Sequence, residues 1–356
     1  MNFSDQIINW YNQNKRDLPW RNTTDAYTIW LSEIILQQTR VEQGMPYFYR
    51  FLENYPAVAD FAAADEDDIL RLWQGLGYYS RGRNMLATAR LVNEKYQGRF
   101  PNKYEDLIRL KGIGEYTAAA ISSFAANEAR AVVDGNVYRV LARYFGIDEP
   151  INSTKGKKLF QETADKLLNQ QHAGLHNQAM MELGAMICKP KNPACGICPV
   201  REGCHAFLHN ATAQLPVKLK KLKVRERYLN YFLYTDGEQI LINKRGTGDI
   251  WTNLHDLPSV ETLEYLEPYE VLKQPESVRY FGNSPVLLQV AGPIKHVLTH
   301  QRLTVNFIVL KDNPISLKKE WFFIEVENLK NLGMPQIIFI FLTNFFKFKN
   351  NFPVHD

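Results

Sequence analysis

Leu110-Lys111-Gly112-Ile113-Gly114-Glu115-Tyr116-Thr117-Ala118 decides how the first half of this 356-residue chain folds. It lies between two stretches of helical character, and its two glycines break the helix between them. They let the backbone turn tightly and point N–H groups outward. A helix N-terminus follows at once, so the turn can hold a phosphate. With Lys111 beside it, such a turn can grip a nucleic-acid backbone without reading its sequence. The same G-x-G turn can equally do no more than join two helices.

The helical pattern extends outward from this turn as far as about residue 210. Tyr27, Trp30, Leu31, Ile34 and Ile35 recur at helical spacing and make one apolar stripe, with Thr24 or Asp25 placed to cap it. Further helices are expected near 69–74, 83–96, 104–110, 117–126, 137–145, 156–169 and 177–188. After residue 227 the period becomes that of strands. Residues 229–234 and 240–244 flank Asp236-Gly237 and read as a hairpin, and 303–310 alternates as another strand. A mainly α half is therefore followed by an α/β half, with no internal repeat. A chain of this length has room for two or three domains.

A net charge of +4 conceals an uneven distribution. Residues 1–217 carry 24 Lys/Arg against 23 Asp/Glu, 218–227 carry 6 against 1, and 228–356 carry 12 against 14. The basic strip at 218–227 reads as a linker and a candidate phosphate contact. The apolar run 337–342, with Phe345 and Phe346 after it, is too short to span a bilayer and reads as a buried helix behind Pro335. No secretory signal opens the chain, so a cytoplasmic protein without a membrane partner is expected.

All four cysteines, Cys188, Cys195, Cys198 and Cys204, share one window with the spacing C-x6-C-x2-C-x5-C. Four thiolates this close in a long chain point to a metal centre rather than to a disulfide scaffold. The spacing alone leaves zinc and iron–sulfur open. Two carboxylates complete the chemistry. Glu33 lies beside the apolar stripe, where partial burial would raise its pKa and keep a proton available. Asp134 follows Val132-Val133 and precedes a helix, whose N-terminus would favour its ionised form. One protonated and one ionised carboxyl is the pair needed to break a glycosidic bond through an oxocarbenium-like state. Each could also be ordinary, Glu33 as an exposed helix residue and Asp134 as a plain N-cap. Gln37-Gln38 and Gly75-Leu76-Gly77-Tyr78-Tyr79-Ser80-Arg81 add an amide pair and an aromatic–basic loop suited to a base stack and its phosphates.

Six ordered motifs and the cysteine spacing together resemble the adenine DNA glycosylases of the MutY type, in the endonuclease III-like helix–hairpin–helix superfamily. They are Leu18-Pro19-Trp20-Arg21, Trp30 to Thr39, Gly75 to Tyr79, Leu110 to Ala118, Val133 to Val137, and Asn177 running to Cys188. The resemblance is dense over residues 1–210 and continues more weakly to about 345. It implies a helical glycosylase domain at 1–217. Within it, 23–128 would form a six-helix subdomain holding the helix–hairpin–helix, and 1–22 with 129–217 an iron–sulfur subdomain. A linker at 218–227 would lead to a Nudix-like domain at 228–356. It implies a [4Fe–4S] cluster on the four cysteines, with Lys189, Lys191 and Arg201 making its loop a basic surface for DNA.

The implied partner is duplex DNA carrying 8-oxoguanine·A or G·A mispairs, from which adenine is flipped out and excised. Glu33 matches the acid that protonates adenine N7, and Asp134 the carboxylate that stabilises the sugar cation. Tyr116 and Asn136 match supporting residues. Trp20, Arg21 and Gln178 match the adenine pocket. Gln37, Gln38 and Tyr78 would contact DNA near the mismatch, with Lys111, Gly112 and Gly114 on the backbone. Bifunctional relatives place a lysine where Tyr116 stands, so a monofunctional enzyme is expected.

In the second half, Trp251 to Pro258 fits the recognition domain of the same family, but no run of glutamates forms a Mg²⁺-binding Nudix box. A reader of 8-oxoguanine, not a hydrolase, is implied. The family's Phe-Ser-His loop is replaced by Leu298-Thr299-His300, which keeps the hydroxyl and the histidine but loses the aromatic wedge. A bacterial, nucleoid-associated monomer is the expected setting. Two other readings remain: a thymine-mismatch glycosylase, which generally lacks the C-terminal reader, and a non-catalytic iron–sulfur DNA-binding protein, against which the retention of Glu33 and Asp134 argues.

Overall fold

The computed structural model describes residues 2–219 and 224–346. Its helices, in chain order, are α1 (Phe3–Asn14), α2 (Ala26–Ile35), α3 (Val41–Asn54), α4 (Val58–Ala63), α5 (Glu66–Leu72), α6 (Ser80–Lys95), α7 (Tyr104–Leu107), α8 (Glu115–Ala126), α9 (Gly135–Phe145), α10 (Thr154–Leu167), α11 (Ala173–Met186), α12 (His205–Leu208), α13 (Pro268–Leu272), α14 (Pro275–Phe281) and α15 (Gln336–Phe346). The chain forms two compact units, Met1–Ala63 with Asn84–Lys221, and Ala64–Arg83 with Leu222–Asp356. The segment 64–83 thus clusters with the second unit, although its sequence lies inside the stretch read as the six-helix subdomain. Within that unit Tyr79 donates to the Met334 carbonyl at 3.0 Å, Arg83 to the Thr252 carbonyl at 2.7 Å, and Asn253 to Glu66 at 2.6 Å.

In the first unit, Asp25 rather than Thr24 caps α2, accepting from Thr28 N at 2.8 Å. The stripe read from the sequence understates this helix. Nearly every residue of α2 is buried, Glu33 included. Trp30 meets Phe61 and Phe100 at 5.8 and 4.8 Å, and Phe51 stacks on Phe61. A second core joins the start of the chain to its far end: Ile7 and Tyr11 of α1 pack with Val137, Val140 and Leu141 of α9, Phe160 of α10, and Met180 and Leu183 of α11. Between α7 and α8 the turn works as its glycines suggest. Gly112 has φ +79°, and a Cβ there would come within 2.8 Å of Asn84 Cβ. Gly114 is the N-cap of α8.

The second unit is built on two sheets. The strands are β1 (Arg225–Tyr234), β2 (Gln239–Lys244), β3 (His255–Asp256), β4 (Ser259–Thr262), β5 (Leu287–Val297), β6 (Gln301–Leu310) and β7 (Trp321–Glu325). One sheet has the order β4-β1-β6-β5 and the other β3-β2-β7. The expected β1–β2 hairpin does not form. The chain does turn at Asp236-Gly237, but only Thr235 and Ile240 bridge, and the strands enter different sheets. β1 already has β4 antiparallel on one edge and β6 parallel on the other, which leaves no edge for β2.

Both faces of the larger sheet are covered. On one, Tyr231, Leu233, Val305 and Phe307 pack against Ile338, Phe341 and Leu342 of α15, with the Phe307 and Phe341 rings stacked at 3.9 Å. On the other, Phe232 and Ile308 meet Val271, Phe281 and Trp321. The C-terminal apolar run is therefore a core helix. No helix among the described residues is long and apolar enough to cross a membrane. Of the basic strip at 218–227, Lys220, Lys221 and Lys223 lie outside the described residues.

Candidate active site

Glu33 is inside the first unit because its helix has no solvent-facing side; only 8% of the residue is exposed. Its Oε2 accepts a hydrogen bond from the Tyr116 hydroxyl at 2.8 Å. Burial raises its pKa to about 7. The Tyr116 hydrogen bond and the charge of Arg21 pull the other way, and Asp134 adds to the rise. The Tyr116 phenol is itself buried, and burial and Glu33 together push its pKa well above the ordinary value, so it stays a donor.

Asp134 is the N-cap of α9. Its Oδ1 accepts from the backbone N–H groups of Asn136 and Val137 at 2.9 and 2.8 Å, and its Oδ2 from Asn136 Nδ2 at 2.7 Å. The sequence reading expected the helix N-terminus to favour the ionised form. The donors do act in that direction, but burial is the larger cause and leaves the pKa above the usual aspartate value. Asn136 is locked in turn: Arg139 donates to its Oδ1 at 2.8 Å. α11 approaches so closely here that a Cβ on Gly184 would lie 2.5 Å from Asn136 Cβ.

Glu33, Tyr116, Asp134 and Asn136 line one cavity of about 770 Å³, together with Trp20, Arg21, Gln37, Gln38 and Gln178. Trp20 stands edge-on to Phe48 at 5.1 Å. Gln178 accepts from the buried Tyr11 hydroxyl at 2.8 Å. Gln37 donates to Thr117 at 3.3 Å. Gln38 has φ 58°, a conformation that costs a non-glycine residue about 1–3 kcal/mol and clusters at functional sites.

Three arginines and a glutamate of this region were not singled out from the sequence. Glu182 of α11 is fully buried and takes both Arg16 and Arg21. Burial alone would push its carboxyl up, but the two arginines outweigh that and hold it at about 2. Arg139 reaches from Asn136 to the carbonyls of Gly184 and Cys188 at 2.7 and 2.6 Å. Arg143 donates to Cys188 Sγ at 3.4 Å and to the Lys189 carbonyl at 2.8 Å. A lone Glu in Met180-Met181-Glu182-Leu183 was the available signal, since a carboxylate inside an apolar run must find a partner.

Cys188 follows α11, Cys195 opens a short 3-10 turn, Cys198 closes it, and Cys204 caps α12. All four are half-buried free thiols. Burial, with smaller contributions from the neighbouring thiols, raises Cys198 to about 11 and lifts Cys195 and Cys204. The four thiols lie near enough to act on one another, and four cysteine sulfurs are the donor set that holds an iron–sulfur cluster.

The remaining sequence-predicted residues lie outside the cavity. Lys111, Gly112 and Gly114 form the turn before α8, where the Lys111 carbonyl accepts from Thr88 at 2.7 Å. In the second unit the Tyr78 hydroxyl is hydrogen-bonded to Thr299 Oγ1, and Tyr78 has φ 48°. Thr299 and His300 are exposed at the β5–β6 turn. Leu298 leans against the core, leaving Val297, 71% exposed, as the protruding apolar side chain.

Residues 31–170 match the HhH-GPD superfamily of base excision DNA repair proteins, 188–204 the iron–sulfur binding domain of endonuclease III, and 230–344 the NUDIX domain. An adenine DNA glycosylase of Buchnera aphidicola subsp. Baizongia pistaciae is 33% identical, over 98% of both chains. One from Mus musculus is 34% identical, over 88% of this chain and 72% of its own. A solved structure of a thermostable thymine-DNA glycosylase is similar over 58% of this chain and 95% of its own, at 30% identity and a TM-score of 0.54.

Proposed function

The chain belongs to the adenine DNA glycosylase family, and we propose that it excises adenine mispaired with 8-oxoguanine or guanine in the cavity around Glu33 and Asp134. It is a hydrolase of the N-glycosidic bond, with a helix–hairpin–helix glycosylase unit, a Nudix-like domain and a [4Fe–4S] cluster on Cys188, Cys195, Cys198 and Cys204. The observation that carries the site assignment is the buried Glu33 carboxyl, with a pKa near 7, in a cavity it shares with Asp134.

A flipped adenine would lie between Trp20, Arg21 and Gln178. Glu33 gives its proton to N7, and the C1′–N9 bond breaks with its electron pair going to the base. The Asp134 carboxylate, aimed by Asn136 and the N-terminus of α9, stabilises the cation left at C1′. Water then adds to C1′ and returns a proton to a carboxylate, leaving free adenine and an abasic site. Tyr116 holds Glu33 by its hydroxyl and has no amine, so no imine forms and the strand stays intact. Cys188, Cys195, Cys198 and Cys204 would hold the cluster, which would stiffen the loop that carries Lys189, Lys191 and Arg201 to the DNA backbone. Gln37, Gln38, Lys111, Gly112 and Gly114 contact the duplex. Tyr78 and the Leu298-Thr299-His300 turn meet the opposite base. The enzyme acts as a monomer in the cytoplasm, at the nucleoid of a bacterium.

The test uses three duplexes, with adenine opposite 8-oxoguanine, adenine opposite guanine, and thymine opposite guanine, and reveals abasic sites with alkali. Release of adenine from the first two is expected. Release of thymine alone would replace this reading with a thymine-mismatch glycosylase, and binding without release would leave a DNA-binding protein.

A further inference from the structure

The carboxylate of Glu182 is saturated by two arginines on the wall of the catalytic cavity. Its Oε1 accepts from Arg16 N and Nε, both at 2.9 Å, and from Arg21 Nη1 at 3.0 Å. Its Oε2 accepts from Arg16 Nη2 at 2.7 Å and from Arg21 Nη2 at 2.6 Å. Arg21 also donates to the Arg16 carbonyl and lies over the Tyr11 ring, 5.5 Å from its centre. A guanidinium held at both terminal nitrogens and laid over an aromatic ring is restrained from swinging.

We propose that Glu182 is a positioning residue for excision: it fixes Arg16 and Arg21 and cancels one of their two charges, so that Glu33 keeps its proton and the sugar cation forms beside a single positive charge. This rests on the adenine-excision reading above. Two consequences of a second uncompensated charge make the balance matter. It would favour loss of the Glu33 proton, and it would repel the cation that develops at C1′. The other charged or titratable groups on the cavity wall are Arg40 and Glu42 at the start of α3, Tyr116 of α8, and Asp134. Glu42 acts electrostatically on Arg16, but among the described residues the ion-pair partner of Arg21 is Glu182, which supplies its counter-charge.

The experiment is the pH profile of single-turnover adenine release from the 8-oxoguanine duplex, using the full cluster-loaded chain. Glu182→Gln adds one positive charge to the wall, Arg16→Gln removes one, and the double variant restores the original sum. The alkaline limb, where Glu33 loses its proton, should move down by about 0.5–1 pH unit in Glu182→Gln. It should move up in Arg16→Gln and return to its original place in the double variant. Where Glu182→Gln alone does not fold, as judged by cluster absorbance and circular dichroism, the step from Arg16→Gln to the double variant reads the same charge. A fall in rate with the limb unmoved in every variant would make Glu182 a purely structural residue and overturn the proposal. An unsubstituted protein that releases no adenine would instead overturn the function on which it rests.

Discussion

The Glu33 cavity of the first unit and the ionic cluster of the second both bury charge, and they treat it differently. In the second unit Arg227 takes Asp249 in two bonds of 2.7 Å, and Glu261 at 2.8 and 2.6 Å. Arg245 takes Asp256 at 2.8 Å and Asp249 at 2.9 Å, and Asn243 adds a further donor to Asp256 at 2.6 Å. The two arginines are thus shared among three carboxylates, each of which is directly ion-paired. In the cavity Glu33 forms no ion pair with an arginine or lysine among the described residues, although the charge of Arg21 acts on it. Its hydrogen-bond donor is the neutral phenol of Tyr116, while Arg21 is engaged by Glu182. Against burial, Arg227 and Arg245 hold Asp249 below the usual aspartate range, although burial still lifts Asp256 above it against Arg245 and Asn243. Glu33, opposed chiefly by a neutral phenol, is lifted by burial to a pH where its proton can be given away.

The largest effect should come from removing that proton. Glu33→Gln keeps shape and burial but has no acid to deliver, so adenine release should fall by about 10²–10⁴-fold in single-turnover assays. Binding to the mispaired duplex should hold, and thermal stability should not fall. A variant that keeps its rate would end the contrast, because Glu33 would then be as inert as Asp256.

The counterpart in the second unit is Arg227→Met, which leaves Asp249 to Arg245 and Glu261 to the exposed Arg225 at 3.8 Å. Both carboxylates are more than a third exposed, so water recovers part of the loss, and about 2–3 kcal/mol of stability should go. Denaturant unfolding measures it. Adding Asp249→Leu and Glu261→Leu to that variant should recover much of the loss, since the penalty lies in the under-paired charges. No recovery would mean that Arg227 contributes packing rather than pairing.

The two kinds of carboxylate should also differ in how stability depends on pH. Glu33 binds its proton more tightly folded than unfolded, with a pKa of about 7 against an ordinary 4.5. Its contribution is full below 4.5 and is lost as pH rises towards 7, a change of about 3 kcal/mol. Glu182, held at about 2, has the reverse sign: its contribution is present above 4.5 and is lost as pH falls towards 2. Urea unfolding at several pH values, comparing the unsubstituted chain with Glu33→Gln, isolates the first term. The variant should lose the decline between 4.5 and 7 and keep the acid-side one.

What could be read from the sequence divides along the same line. The turn at Leu110–Gly114, the Asp25 cap and the cysteine window are local, and short-range spacing encodes them. The six motifs carried the residues of the cavity for the same reason. The pairing of Glu182 with Arg16 and Arg21 was not legible, because these partners are 166 and 161 positions away and no periodicity links them. Glu33 was half legible: the stripe placed it at the edge of a core, whereas packing on every side of α2 puts it inside. The β1–β2 pairing was misread because a turn signal reports where the chain reverses and not which edge the next strand finds. That edge was taken by β4 and β6, the latter some seventy residues away.

The smallest effect concerns the phenol that donates to Glu33. The Tyr116 hydroxyl bonds to its Oε2 at 2.8 Å and favours the ionised form, so it restrains the rise that burial imposes. Because that phenol's own pKa is pushed well above the ordinary value, it donates at every working pH. Tyr116→Phe removes the donor without opening a cavity. The Glu33 pKa should then climb, and the alkaline limb of adenine release should move up by roughly one pH unit or less. The rate below that limb should fall by only about fivefold, the cost of one ordinary hydrogen bond that aims the carboxyl. A downward move of the limb would mean that Tyr116 stabilises the protonated acid, and that Glu33, like the carboxylates of the second unit, depends on a partner for the form in which it works.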